Sequence, residues 1–111
     1  MKRNNKFYTL EVQEDHSIQY VETEGKEIKN EYGLDLFYHT INNNHYNNHI
    51  RITEASSGLK VCQSDTLEKA IKQLDIIVRD YGLSFIREQI EKGIAHKGFS
   101  PKYEFEEVNT P

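Results

Sequence analysis

The sequence predicts an α+β fold: an antiparallel four- to five-stranded meander sheet with two C-terminal helices packed on one face. Two patterns carry this expectation. Through the first sixty or so residues, short apolar runs alternate with a period of two and are separated by turn residues, as half-buried strands require. From residue 67 onward the apolar residues instead recur at i, i+3, i+4 and i+7, the period of an amphipathic helix.

Taken in order, FYTLEV places Tyr8, Leu10 and Val12 on one face, and SIQYVET brings Ile18 and Tyr20 together after the turn EDHS. These two runs form a hairpin. The charged stretch EGKEIKNEYG ends at Gly33 and reads as a loop or one helical turn. LDLFYHTI then sets Leu34, Leu36 and Tyr38 against Phe37, His39 and Ile41, and HIRITEA sets Ile50 and Ile52 against Arg51 and Thr53. The polar tract HTINNNHYNNHI, residues 39–50, joins them. SSG makes the next turn, its glycine supplying a positive φ, and LKVCQ points Leu59 and Val61 to the core with Cys62 on the opposite face.

SDTLEKAIKQLDIIVRDYG carries Leu67, Ala70, Ile71, Leu74, Ile77, Val78 and Tyr81 on one stripe. Asp65 and Glu68 form a capping-box-like start, and Gly82 stands where a helix ends in a left-handed residue. A second helix is expected from Ser84 as N-cap to about His96, carrying Phe85, Ile86, Ile90 and Ile94 and stopping at Lys97 and Gly98. The tail FSPKYEFEEVNTP is acidic and holds two prolines, so residues 99–111 are expected as an edge strand around 103–105 or a disordered end. The predicted core takes Leu10, Val12, Ile18, Tyr20, Leu36, Ile50, Ile52, Leu59 and Val61 from strands. The helices add Leu67, Ile71, Leu74, Val78, Ile86 and Ile90.

A chain of 111 residues with 36% hydrophobic content suits a single domain, residues 1–111, with an ordered core of about 6–98. Its mean hydropathy of -0.79 is polar, yet seven Tyr and five Phe supply apolar mass that disordered chains lack. A net charge of -4 and pI near 5.7 argue against a bulk grip on phosphates, which clustered Lys and Arg would supply. One cysteine, Cys62, permits neither an intramolecular disulfide nor a cysteine zinc cage and fits a reducing compartment. The start MKRNNKFYTL has no apolar run of signal-peptide length, and no stretch approaches roughly 18 apolar residues. The expectation is a soluble cytoplasmic protein with no membrane partner.

The histidines are the first candidates for chemistry. In a strand, His45 and His49 would share a side but stand ~13 Å apart at about 3.3 Å per residue, too far for one ion even with His39 approaching from the opposing strand. No metal and no cofactor are expected. An HNH-like metal-dependent nuclease needs a base and a cation on a hairpin packed against the following helix, whereas here another strand intervenes. No motif sets a histidine beside Cys62, and the six glycines form no phosphate loop, so no catalytic residue is expected.

What remains is surface. Tyr46, flanked by Asn44, His45, Asn47 and His49, pairs an aromatic anchor with adaptable hydrogen-bonding groups, a composition that recognition surfaces use. Ile76 falls opposite the apolar stripe among Lys69, Lys72, Arg79 and Asp80, where an apolar residue can be a partner contact. Glu104, Glu106 and Glu107, with Glu22, Glu24, Glu27 and Glu31 upstream, could imitate a phosphate backbone and occupy a basic groove.

The unit from HIRITEASSGLKV through SDTLEKAIKQL resembles a strand, turn, strand and helix arrangement of small accessory proteins from Gram-positive phages and mobile elements. Thr53, Glu54, Ser56, Ser57 and Gly58 match a T-E-x-[ST]-[ST]-G-like turn, and Thr66 and Ala70 match a T-x-x-E-A helix start in which Lys69 replaces the acid. It covers about a quarter of the chain. The layout is also similar to the arm-type DNA-binding domains of phage integrases, whose sheet enters the major groove. Arg51 and Lys60 are the only outward cations here, beside His39, Thr53 and Cys62. In size and charge the chain resembles anti-CRISPR proteins, which bind a nuclease effector. These likenesses imply a non-catalytic protein-binding module that inhibits or modulates a host defence complex. A nucleic-acid-binding accessory protein using the sheet or the 39–50 loop is the alternative, and a metal-dependent nuclease is third.

Overall fold

The computed structural model describes residues 7–41, 49–98 and 100. The expected edge strand at 103–105 lies outside the described residues. Strands β1 (Phe7–Val12), β2 (Ile18–Thr23), β3 (Lys26–Ile28), β4 (Leu36–Ile41), β5 (His49–Glu54) and β6 (Lys60–Ser64) precede helices α1 (Leu67–Tyr81) and α2 (Leu83–Lys97). The fold is α+β, as the two periodicities predict. The strands divide into two antiparallel sheets, a meander β3-β4-β5-β6 and a separate hairpin β1-β2. The charged stretch expected as loop or helical turn contributes β3. Just after it, the Asn30 side chain holds the reversal, donating to the carbonyls of Ile28 and Leu34 and accepting from the N–H groups of Tyr32 and Leu34.

The four-stranded sheet is covered on both faces. On one, Leu36, Ile52 and Cys62 pack with Ala70 and Leu74 of α1, and the half-buried Ile50, Val61, Ile77 and Val78 surround them. Fully burying a Leu or Ile side chain contributes about 1.5–3 kcal/mol. On the other face Phe37 is fully buried against Phe7 of the hairpin, their rings stacked 4.5 Å apart, with Ala55 beside them. Arg51, on the same face, reaches Glu11 of β1 at 3.8 Å. Strand alternation explains the double burial, since Leu36 and Phe37 are neighbours that point to opposite sides.

This arrangement corrects the expected core. The hairpin presents Phe7 and Thr9 inward, whereas Val12 is 69% and Ile18 42% exposed. Alternation alone permits either face of FYTLEV, and the ring stacking chooses between them. Thr9 tolerates burial because its hydroxyl donates to Glu11 and lies 3.2 Å from the Thr23 hydroxyl. Leu10 and Tyr20 instead press against Gly58, where a Cβ would meet each of them at 2.9 Å.

Cys62 is likewise inside. Ile52 pairs with Cys62 but Thr53 with Lys60, so Val61 is the extra residue of a β-bulge. That insertion shifts the pleat and turns the thiol onto the Ala70 carbonyl at 3.3 Å. On α1 the small Ala70 lets helix and strand approach closely, and the buried stripe runs through Ala70 and Leu74 while Ile71 is exposed.

The helix ends follow local chemistry with two changes. Thr66, not Asp65, caps α1 by accepting from the Lys69 N–H, and Asp65 pairs with the Lys69 ammonium instead. Gly82 ends α1 at φ 85° and donates to the Val78 carbonyl, and it also serves as N-cap of α2, displacing the expected Ser84. Gly98 then stops α2 as expected. Among the described residues no helix is long and apolar enough to cross a membrane.

Candidate functional site

Of the residues nominated from sequence, Asn44, His45, Tyr46, Asn47, Glu104, Glu106 and Glu107 lie outside the described residues. His49 opens β5 opposite Ile41 and is half-buried. It lies near Asp65, whose carboxyl is held below its ordinary range chiefly by the hydrogen bond from Lys69 and least by the charge of His49. Ile76 is 44% exposed on the outer face of α1. It lies nine residues beyond the helix start, ~14 Å along the axis. The structure therefore does not bring His49 and Ile76 together.

Two side chains with chemical potential, Cys62 and His39, are buried. Burial pushes the Cys62 thiol up to about 11, so it carries no thiolate near neutral pH. His39, expected on an outward sheet position, is only 8% exposed beneath the hairpin. Its imidazole is held below the ordinary histidine value by burial first, then by the Arg51 charge, with Glu11 opposing, and its Nδ1 has no hydrogen-bond partner. Among the described residues no three His, Cys, Asp or Glu side chains converge as a metal site would need.

A surface that the sequence pattern did not flag lies where the helices meet. Because Gly82 alone separates α1 from α2, Tyr81 is the last residue of one helix and Phe85 the third of the next. Their rings stack 5.4 Å apart with 25° between planes, yet Tyr81 is 63% and Phe85 45% exposed. Beside them a cleft of about 260 Å³ is lined by Leu59, Val61, Ile77 and Ile86, with Lys60 and Gln89 at its margin. Apolar spacing placed both aromatics on helix stripes directed to the core. Their i, i+4 separation across a helix-stopping glycine was the available signal that the stripe runs out at that point.

No protein-family model matches this chain, nor does any curated protein or solved structure. What the site can do therefore rests on its own chemistry. The stacked rings of Tyr81 and Phe85 beside this cleft leave a patch of apolar area exposed at the surface.

Proposed function

We propose that the chain is a non-catalytic protein-binding module, encoded by a phage or mobile element, that inhibits or modulates a host defence complex in the cytoplasm in the manner of anti-CRISPR proteins. The observation that supports it is the stacked pair Tyr81 and Phe85, exposed over the apolar cleft between β6 and the helices. Aromatic anchors dominate protein–protein contacts because each buries large area at small entropic cost. Ile76, exposed on the same helix, extends the contact potential of α1 to its outer face.

The nucleic-acid alternative has less support. Both faces of the four-stranded sheet are covered, and Arg51, its central cation, is engaged by Glu11 and by the Gln63 side chain. A sheet entering a groove would have to shed the hairpin first.

Affinity capture from the host cell with mass spectrometry tests the reading, comparing wild type with Phe85→Asp and Ile76→Asp after circular dichroism confirms their fold. Phe85→Asp is expected to lose the partner by at least about tenfold, the effect of removing one aromatic anchor. Recovery of the same partners at wild-type yield by both variants would sink the assignment of these surfaces. Hydrolysis of nucleic acid dependent on added divalent metal would overturn the non-catalytic reading.

A further inference from the structure

The cleft beside Tyr81 and Phe85 has a definite size, one charge and an open side. At about 260 Å³ it exceeds the ~150 Å³ that encloses a benzene ring, so it has room for an aromatic side chain. Lys60 is the one charged residue that lines it. Among the described residues no carboxylate pairs with that ammonium, whereas Arg79 is paired with Asp80 and Lys92 with Glu88. β6 is the outermost strand of its sheet, so no further described strand closes the cleft on that side. An occupant that suits it is extended, aromatic and acidic.

One stretch of this chain has that chemistry. In residues 103–107, Tyr-Glu-Phe-Glu-Glu, two aromatic residues alternate with carboxylates, a pattern found nowhere else in the sequence. Its attachment brings it within reach. Ser100 is buried and donates its N–H to the Ser56 carbonyl, and Ser56 stands three residues before Leu59, which begins the lining of the cleft. The five residues from Ser100 to Phe105 span up to ~17 Å when extended, against ~11 Å for the three from Ser56 to Leu59, so Phe105 reaches the cleft without moving the anchor.

We infer that residues 103–107 of the same chain dock in this cleft, the Phe105 ring against Tyr81 and Phe85 and the carboxylates of Glu104 and Glu106 on the side of Lys60. The tail then covers the contact surface until a partner displaces it. That regulatory role rests on the reading of the chain as a protein binder through Tyr81 and Phe85, whereas the docking itself does not.

The test uses the full chain, isotope-labelled for NMR. Nuclear Overhauser contacts are expected between the Phe105 ring and at least one of Val61, Ile77 and Phe85. Phe105→Ser should abolish them and shift the resonances of Tyr81 and Phe85, and a capped peptide of residues 101–108 added to that variant should bind saturably and restore the shifts. Lys60→Glu, placed in the same variant, should weaken the peptide by about threefold, the effect of reversing one exposed charge. Phe105 contacts confined to other residues, Tyr81 and Phe85 resonances unmoved by Phe105→Ser, or absence of peptide binding would overturn the docking. Contacts seen only between differently labelled copies would give the cleft to a second chain and overturn docking within one. An unchanged affinity in Lys60→Glu would overturn the selection for an acidic segment. Partner capture lost in Phe85→Asp with no tail contact in wild type leaves the protein-binding reading standing alone, and tail contact with no partner captured leaves only the docking, so the two fail separately.

Discussion

Glu54 takes two hydrogen bonds from Ser57 on one carboxylate oxygen, 2.9 Å from its backbone N–H and 2.7 Å from its hydroxyl. Ser56 adds its own N–H and hydroxyl to the same carboxylate. Glu54 is buried, and an unpaired charge there would be costly. The turn thus folds its own donors around the acid. From it, bonds reach the rest of the molecule: the Tyr20 hydroxyl lies within bonding distance of the Ser57 and Gly98 carbonyls, and the Ser100 N–H donates to the Ser56 carbonyl.

Replacing Glu54 should therefore act on the whole body and not only on one turn. Glu54→Ala strands several buried donors and is expected to cost about 2–4 kcal/mol, with Glu54→Gln costing less because one acceptor oxygen remains. Urea unfolding of the three proteins checks this. A loss below that seen for an exposed Glu88→Ala control would contradict the hub assigned to the turn.

The stack of Phe7 on Phe37 attaches the hairpin beside the packing of Leu10 and Tyr20 on Gly58 and the reach of Arg51 to Glu11. Phe37→Ala is expected to cost about 3–5 kcal/mol, the range for a buried aromatic, and Phe7→Ala less because its site lies nearer the surface. In a double-mutant cycle the two should couple by about 0.5–1.5 kcal/mol. Strict additivity would show that the ring stack adds nothing to the burial of each residue.

His39 contributes to the acid side of the stability profile. Its folded pKa lies below the ordinary 6.5, so below that pH the unfolded chain binds more protons than the folded one. Its contribution is present above pH 6.5 and is lost as pH falls through the folded value. Denaturation midpoints measured from mildly alkaline to mildly acidic pH should decline, and His39→Phe should flatten the His39 component of that decline.

Cys62 and Tyr20 act on the alkaline side. Burial raises Cys62 from 9.0 to about 11, and burial, then the Glu54 charge, raises Tyr20 from 10.0 to about 12. Each favours the protonated form when folded, so the Cys62 contribution is complete below pH 9.0 and is lost between 9.0 and 11, and the Tyr20 contribution is complete below 10.0 and is lost between 10.0 and 12. Cys62→Ala should remove the earlier part of the decline. In the native protein at mildly alkaline pH the thiol should react with Ellman's reagent only at the rate of unfolding. Rapid labelling would show that the bulge leaves Cys62 accessible.

Much of this fold is legible in the order of the residues alone. The helix of Leu67 to Tyr81 is visible because its period, its start beside Asp65 and its stop at Gly82 coincide, all within one local stretch. The antiparallel order of β4, β5 and β6 follows from alternating runs separated by turn residues. Short range cannot decide which face of FYTLEV turns inward, because both faces carry large side chains and only Phe37, thirty positions away from Phe7, distinguishes them. Nor can it place Cys62, since a one-residue bulge opposite Ile52 and Thr53 inverts the pleat without any mark in composition.

The sequence by itself determined the α+β class, the element order from β4 onward, the two glycine helix stops and the turn at Ser56, Ser57 and Gly58, because each depends on contacts between near neighbours. Tertiary structure decided what is inside and what is offered to a partner. It set the hairpin over the second sheet face and hid His39 and Cys62, and it left Tyr81 and Phe85 exposed where α1 and α2 meet. The reason is physical: periodicity reports that a face is apolar, whereas burial depends on what packs against it, and that is supplied by residues far along the chain.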